Sequence, residues 1–253
     1  MRVTKGVEIL ELEAEGFGGR AVLHPTLIWD DKEAILIDTG MPGQYEKIIS
    51  AMSGLGMSLD KLKAVILTHQ DIDHIGSVPE IIQATKGRIQ VFAHELDKPY
   101  IEGEIPLIKT NPRSMAKILE SLPEDQYRKT LALCENPPKA KIDDTLSDGQ
   151  EIPYCGGIKV LFTPGHTPGH ISLYLKNSKT LVAADAMICV EGNLRGPVEQ
   201  TTLDMDTALR SLEKFLEYDV EFVVCYHGGL CNMNAKGQIQ DIIRKITNVI
   251  ETD

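Results

Sequence analysis

The chain has 253 residues, 42% hydrophobic and 25% charged, the mix of an ordinary globular protein with enough apolar material for a sizeable core. Its formal net charge of −11 repels phosphate, which argues against tight non-specific binding to nucleic acid or an anionic membrane. Glu8, Glu11 and Glu13 interrupt any signal-like start, no window reaches the ~18 apolar residues of a membrane span, and five scattered cysteines (Cys134, Cys155, Cys189, Cys225, Cys231) form no CxxC pair. These features predict a cytoplasmic protein without a disulfide framework, acting on a small molecule rather than on nucleic acid or membrane, and they allow a homodimer.

In chain order, RAVLHPTLIW (20–29) and AILID (34–38) read as strands separated by the polar turn Asp30-Asp31-Lys32, and residues 39–43 break the pattern. Ile48, Ile49, Met52 and Leu55 share one side of a predicted helix over 45–55. LKAVILT (62–68) is a short continuous apolar run, the mark of a buried strand, and it leads straight into His69. A helix is expected over 78–84 and a strand over 88–94. Residues 95–145 change character; they carry prolines, charges and two helical stretches (114–122 and 126–134), and read as a helical insertion within a single domain spanning 1–253. Strands resume as a hairpin over 151–163 around Gly156-Gly157 and another over 171–185 turning at Asn177-Ser178. An amphipathic helix over 201–218, a strand over 220–229 and a helix over 238–251 complete the pattern. Each half supplies strands followed by helix, and neither could bury its own sheet, so two β layers between helices are expected.

The chemical signal is Thr68-His69-Gln70-Asp71-Ile72-Asp73-His74, in which four possible metal ligands, His69, Asp71, Asp73 and His74, fall within six residues just after a buried strand. Imidazole and carboxylate are the usual donors to zinc, iron and manganese, and a strand end lets a rigid sheet aim them at one point. Three further candidates occupy similar places: His166 in the turn TPGHTPGH, Asp185 at the end of LVAAD, and His227 at the end of FVVCYH. An unpaired charge ending a buried strand is costly, which argues against packing as its only role. Asp38 in LIDTG can be explained as a turn-capping carboxylate. His24 and His94 read as structural, and Cys225 as a small buried residue.

Taken in order, LIDTG, the His-rich loop, GHTPGH, the Asp after an apolar strand and the late His-Gly resemble the metallo-β-lactamase-fold hydrolase superfamily over nearly the whole chain. The resemblance implies an α/β fold, an αββα sandwich of two pseudo-symmetric halves, and two divalent metal ions between the sheet edges. It assigns His69, Asp71 and His166 to a first ion, Asp73, His74 and His227 to a second, and Asp185 to both. Asp73 would also orient the nucleophile and relay its proton, and His170 would support the site from behind. The family loop usually reads His-x-His-x-Asp-His, and here Asp71 stands at the second histidine. Zinc is the first expectation, and the harder carboxylate also suits iron or manganese. The implied activity is hydrolysis of a small ester, thioester, lactone or phosphoester. Asp185 in place of a cysteine argues against antibiotic hydrolysis, and Ile188 in place of a tyrosine argues against a close lactonase. Glyoxalase II enzymes differ in having an all-histidine first site. A diiron redox protein related to flavodiiron proteins and a non-catalytic ligand-binding member of the fold are the alternatives.

Overall fold

The computed structural model describes residues 1–16 and 19–250. Strands β1 (Arg2–Thr4) and β2 (Val7–Ile9) are followed by a separate hairpin, β3 (Leu12–Gly16) and β4 (Gly19–Leu23), and then by β5 (Thr26–Trp29), β6 (Ala34–Ile37), β7 (Leu62–Ile66), β8 (Gln90–His94) and β9 (Asp144–Leu146). The first sheet has the order β1-β2-β5-β6-β7-β8-β9, antiparallel as far as β6 and parallel from β6 to β9. The second half supplies β10 (Glu151–Ile152), β11 (Ile158–Phe162), β12 (Ile171–Leu175), β13 (Thr180–Ala184), β14 (Ile188–Val190), β15 (Asn193–Arg195), β16 (Phe222–Cys225) and β17 (Gly229–Cys231). Its sheet runs β10-β11-β12-β13-β16-β17, with β14 and β15 as a small hairpin apart.

Period-two alternation sorts the strand residues into layers. In β6, Ile35 and Ile37 face the second sheet and pack with Val160, Leu173 and Val182, whereas Leu36 faces outward. That outer face is covered by α1 (Tyr45–Gly54), through Ile48 and Met52, and, beyond the short α2 (Ile72–Ile75), by α3 (Val78–Ala84), through Val78 and Ile81. Helices α4 (Lys98–Ile101), α5 (Ala116–Ser121) and α6 (Glu124–Glu135) lie in the segment between β8 and β9. On the far side, Leu181, Val223 and Cys225 pack against Leu212 and Phe215, which follow α7 (Met205–Ser211), and against Ala235 and Ile239 of α8 (Ala235–Ile250). The result is the αββα sandwich expected from the sequence. Each fully buried Leu or Ile in its layers contributes about 1.5–3 kcal/mol relative to exposure.

The structure departs from the expected elements in several places. The helix predicted over 201–218 starts only at Met205, where Asp204 caps it by accepting the Thr207 amide at 2.9 Å, and it tightens to a 3₁₀ helix over Leu212–Glu217. The end of the 95–145 segment is strand: Asp144 and Thr145 begin β9 and pair with Phe92 and Ala93. The last helix is described to Ile250, and residue 251 of the predicted span lies outside the described residues. No helix among the described residues is long and apolar enough to cross a membrane.

Candidate metal centre

The ends of buried strands deliver the candidate donors. Beyond β7 the chain continues through Leu67 and Thr68 to His69, and the single turn α2 then brings His74 back beside it, with ring centroids 3.9 Å apart. Asp71 precedes that turn, and its carbonyl accepts the His74 amide at 2.9 Å. His166 stands in the turn joining β11 to β12. The pairing of β13 with β16 slips in register at Val182/Ala184, and Ala184 adopts φ +48°. That bulge, in a left-handed conformation unfavourable for a residue with a Cβ, turns Asp185 out of the sheet toward the histidines. His227 follows β16 by two residues, and its carbonyl accepts the Cys189 amide at 3.1 Å.

The structure brings all seven sequence-predicted side chains together. His69, Asp71 and His166 form one nest, and Asp73, His74 and His227 form a second, with the ligand atoms of each within 4.8 Å of one another. In the first, Asp71 Oδ2 lies 3.3 Å from His69 Nε2 and 3.0 Å from His166 Nε2. In the second, Asp73 Oδ2 lies 3.4 Å from His227 Nε2 and 3.9 Å from His74 Nε2. Asp185 stands between them, with Oδ2 at 3.3 Å from His166 and 3.4 Å from His227, and Oδ1 at 3.4 Å from His74.

Residues behind the nests set the direction of these donors. Asp38, itself at φ +61°, accepts the Thr68 amide on Oδ1 and the Thr68 hydroxyl on Oδ2, each at 2.8 Å, and faces His74 Nδ1 at 2.9 Å. Because the Thr68 hydroxyl gives its proton to Asp38, it accepts from His69 Nδ1–H at 3.0 Å. Both imidazoles are thereby held with Nδ1 as the donor to the groups behind and Nε2 facing the site, the orientation a metal ligand needs. His170 places Nδ1 at 3.0 Å from the Thr163 carbonyl and accepts the Asp185 amide on Nε2 at 3.2 Å. Asp97 ties the halves together, accepting the Gln70 amide (2.9 Å) and the Thr167 hydroxyl (2.8 Å) on Oδ2 and the Gly169 amide on Oδ1 (2.8 Å). The Tyr226 ring lies 3.7 Å from that of His74, and its hydroxyl donates to the Asp73 carbonyl.

Three buried atoms here have no well-formed hydrogen bond, only ion-pair contacts at 3.3–3.4 Å: His69 Nε2, His74 Nε2 and Asp185 Oδ1. They belong to residues that form a third convergent group, between the two nests. Orphaned buried polar atoms are costly, and a cation among them would satisfy all three, so the donor set fits a metal. The electrostatics agree. Burial opposes the charge of Asp185, yet His227, His74 and His166 hold its carboxyl well below the usual range. Burial likewise opposes the charge of His74, but Asp38, Asp185 and Asp73 raise it well above an ordinary imidazole. Against the same opposition, Asp185 and Asp73 raise His227 to about 10. The carboxylates draw positive charge into the nests.

A profile described as the metallo-beta-lactamase superfamily matches residues 24–227. The chain belongs to the metallo-β-lactamase superfamily. It is 28% identical over 228 residues to the probable metallo-hydrolase YflN of Bacillus subtilis, which covers 85% of this chain and 83% of YflN. It is also 28% identical over 208 residues to the hydroxyacylglutathione hydrolase GloC of Haemophilus influenzae, covering 79% of this chain and 82% of GloC. Among solved structures, the metallo-beta-lactamase family protein TTHA1429 of Thermus thermophilus shares the fold with a TM-score of 0.71 at 21% identity, over 99% of this chain and 82% of that one. Membership supports a metal-binding hydrolase at the level of the superfamily.

Within this metallo-β-lactamase fold the nests open on a cleft of about 480 Å³. Its walls are largely apolar: Ala14 and Ala21 from the β3–β4 hairpin, with Leu23, Met41, Ile72, Met115 and Ile188. Lys109, Thr110 and Met115 bring the segment between β8 and β9 to the same cleft. Lys109 has no counterpart in the sequence reading. Its Nζ lies 2.5 Å from Asp71 Oδ2 and 2.7 Å from His166 Nε2, inside the first nest. Burial opposes the charge of Asp71, and His69 and Lys109 together hold its carboxyl well below the ordinary value. Asp38, read from sequence as a turn cap, instead orients two site histidines. Both roles depend on contacts remote in sequence, and no local pattern marks them. His24 and His94 lie outside the nests; His24 Nδ1 faces the Tyr226 carbonyl at 2.9 Å and His94 stacks on Phe162. Cys225 is fully buried in the outer core of the second sheet.

Proposed function

We propose that the chain is a metal-dependent hydrolase of a small ester, thioester, lactone or phosphoester, working with two adjacent positive charges around the shared carboxylate of Asp185. The observation that carries this reading is that both donor nests face one apolar cleft through Asp71, Asp73, His166, Asp185 and His227. Asp73, His74, His227 and Asp185 would hold a divalent ion on one side, and His69, Asp71, His166 and Asp185 offer a second position. Zinc suits the imidazole donors, and Asp71 and Asp73 extend the range to manganese or iron. When bound, such an ion supplies Lewis acidity, polarising a carbonyl or phosphoryl oxygen and bringing the pKa of water toward neutrality.

The protein's own groups do the rest. The Asp73 side chain is 24% exposed, against 13% for Asp71 and 9% for Asp185, so it is the site carboxylate most open to the cleft. It orients the attacking water and accepts its proton. Leu23, Met41, Ile72 and Met115 give the leaving or acyl portion an apolar wall and thin the water around the reacting bond. Kinship with a protein named as a hydroxyacylglutathione hydrolase favours the acyl members of the substrate range. The reading is tested by stripping the protein with a chelator, reloading it separately with zinc, manganese and iron, and assaying ester, thioester, lactone and phosphodiester substrates. Turnover that disappears with the metal and returns on reloading is expected. Oxidase or peroxidase turnover with iron, and no hydrolysis with any metal, would replace it with the redox alternative.

A further inference from the structure

We propose that the first nest is filled by the chain's own cation: the Lys109 ammonium occupies it, so the resting protein binds one divalent ion, at the Asp73–His74–His227 nest, rather than two. This deepens the hydrolase reading above and rests on it for the role of the remaining ion.

Geometry carries the inference. An ammonium can only donate, so the contact between Nζ and His166 Nε2 at 2.7 Å engages the lone pair of that nitrogen. An imidazole nitrogen has one lone pair, and one that accepts the Lys109 proton has none left for a metal. The same ammonium reaches Asp71 Oδ2 at 2.5 Å. Asp71 Oδ2 and His166 Nε2 lie 3.0 Å apart, within hydrogen-bond distance of each other, and the Lys109 ammonium lies against both. A metal bonded to these atoms at about 2.0–2.2 Å would share their hollow with Nζ, and two cations in contact repel strongly in a poorly solvated site.

The lysine is also held in place. The amide of its neighbour Ile108 donates to Gln70 Oε1 at 2.9 Å, and Gln70 belongs to the ligand loop itself. The Lys109 carbonyl accepts the Ser114 hydroxyl at 2.8 Å. Asn111 Nδ2 donates to the Leu107 and Ile108 carbonyls at 2.8 and 3.0 Å, while its Oδ1 accepts the Arg113 and Ser114 amides at 2.9 and 3.0 Å. The Lys109 side chain is only 20% exposed. Charge matches as well: Asp71 adds a negative charge to a nest otherwise made of imidazoles, and Lys109 cancels it. No lysine or arginine reaches the second nest among the described residues; its only basic groups are the ligand imidazoles His74 and His227, which lose their protons to bind an ion.

The test is metal stoichiometry, measured by equilibrium dialysis of chelator-stripped protein against zinc with elemental analysis. Wild type should take one tight equivalent per chain, any second binding on the order of a hundredfold weaker or more. Lys109→Met, which keeps an unbranched apolar stem but removes the ammonium, and Lys109→Ala should each take two equivalents of comparable affinity. Two comparable equivalents in the wild type, or one equivalent in both folded variants, would overturn the assignment while leaving the hydrolase reading intact. No tight equivalent in any of the three proteins would overturn both. Circular dichroism of the variants confirms that each count refers to folded protein.

Discussion

His170 holds Asp185 by its backbone: Nε2 accepts the Asp185 amide at 3.2 Å, while Nδ1 faces the Thr163 carbonyl at 3.0 Å. A neutral imidazole is needed for both contacts, one nitrogen donating and the other accepting. Burial, reinforced by the neighbouring His166, keeps it neutral by lowering its pKa from 6.5 to about 3.

That depression has a definite sign in stability. Below pH 6.5 the unfolded chain takes up a proton on this side chain that the folded chain refuses until about pH 3. Stability is therefore lost as pH falls through this window, by about 1.4 kcal/mol per unit at most. His170→Gln can place an amide oxygen where Nε2 accepts the Asp185 amide and does not titrate here. Urea unfolding at pH 7, 5.5 and 4.5 should show a shallower acid slope for the variant than for wild type. Identical slopes would remove His170 from the account.

Asp38 should matter for metal although it touches none. Asp38→Ala removes the acceptor for the Thr68 amide, the Thr68 hydroxyl and His74 Nδ1, and with them the orientation of His69 and His74. Metal affinity is expected to fall about 10–100-fold, and stability by about 1–3 kcal/mol because a buried amide loses its partner. Equilibrium dialysis and denaturant titration measure the two separately. Unchanged affinity in a folded variant would refute the orienting role.

Gly169 tests the tie between the halves. A Cβ there would lie 2.6 Å from the Asp97 amide nitrogen and 2.7 Å from its carboxyl, in the place where Asp97 meets the Gly169 amide. Gly169→Ala should destabilise by about 1–3 kcal/mol through overpacking. A variant as stable as wild type in guanidinium would show that the two loops can part without cost.

Metal uptake should release protons. The carboxylates Asp185 and Asp73 hold His227 protonated up to about pH 10, and Asp38 with Asp185 raises His74 well above its ordinary range, in both cases against burial. Binding at Nε2 must expel those protons, so affinity should rise with pH from 6 to 8. Calorimetry at pH 8 in buffers of different ionisation enthalpy reads the number released. Binding without net release would mean that these imidazoles are not ligands.

Asp185→Asn keeps the volume of the side chain and lowers its charge. It should weaken ion binding at the shared position and reduce hydrolysis by at least about a hundredfold, as expected when a charge aimed at the reacting centre is lost. Full turnover in a metal-loaded Asp185→Asn protein would contradict the reading of Asp185 as the shared carboxylate.

Much of the fold was legible because burial writes itself into the chain at short range. LKAVILT, LVAAD and FVVCYH are apolar runs that end in a polar residue, and each ends at the site because a buried strand can tolerate such a residue only where it emerges. The helix over 201–218 was placed too early because its apolar stripe says nothing about the start, which Asp204 decides by capping. The strand Asp144–Leu146 was missed because it is three residues long and completes the edge of a sheet whose other members lie far away in sequence.

By itself, then, the sequence determined the layered architecture and singled out seven candidate donor residues, since alternation, strand ends and the spacing of His69, Asp71, Asp73 and His74 are local properties. Only the tertiary structure decided what stands behind and among those donors. Lys109 meets Asp71 across 38 positions and His166 across 57, and Asp97 reaches Thr167 across 70. A lysine or aspartate in a polar loop looks like any other until folding removes the water around it and leaves one partner within reach.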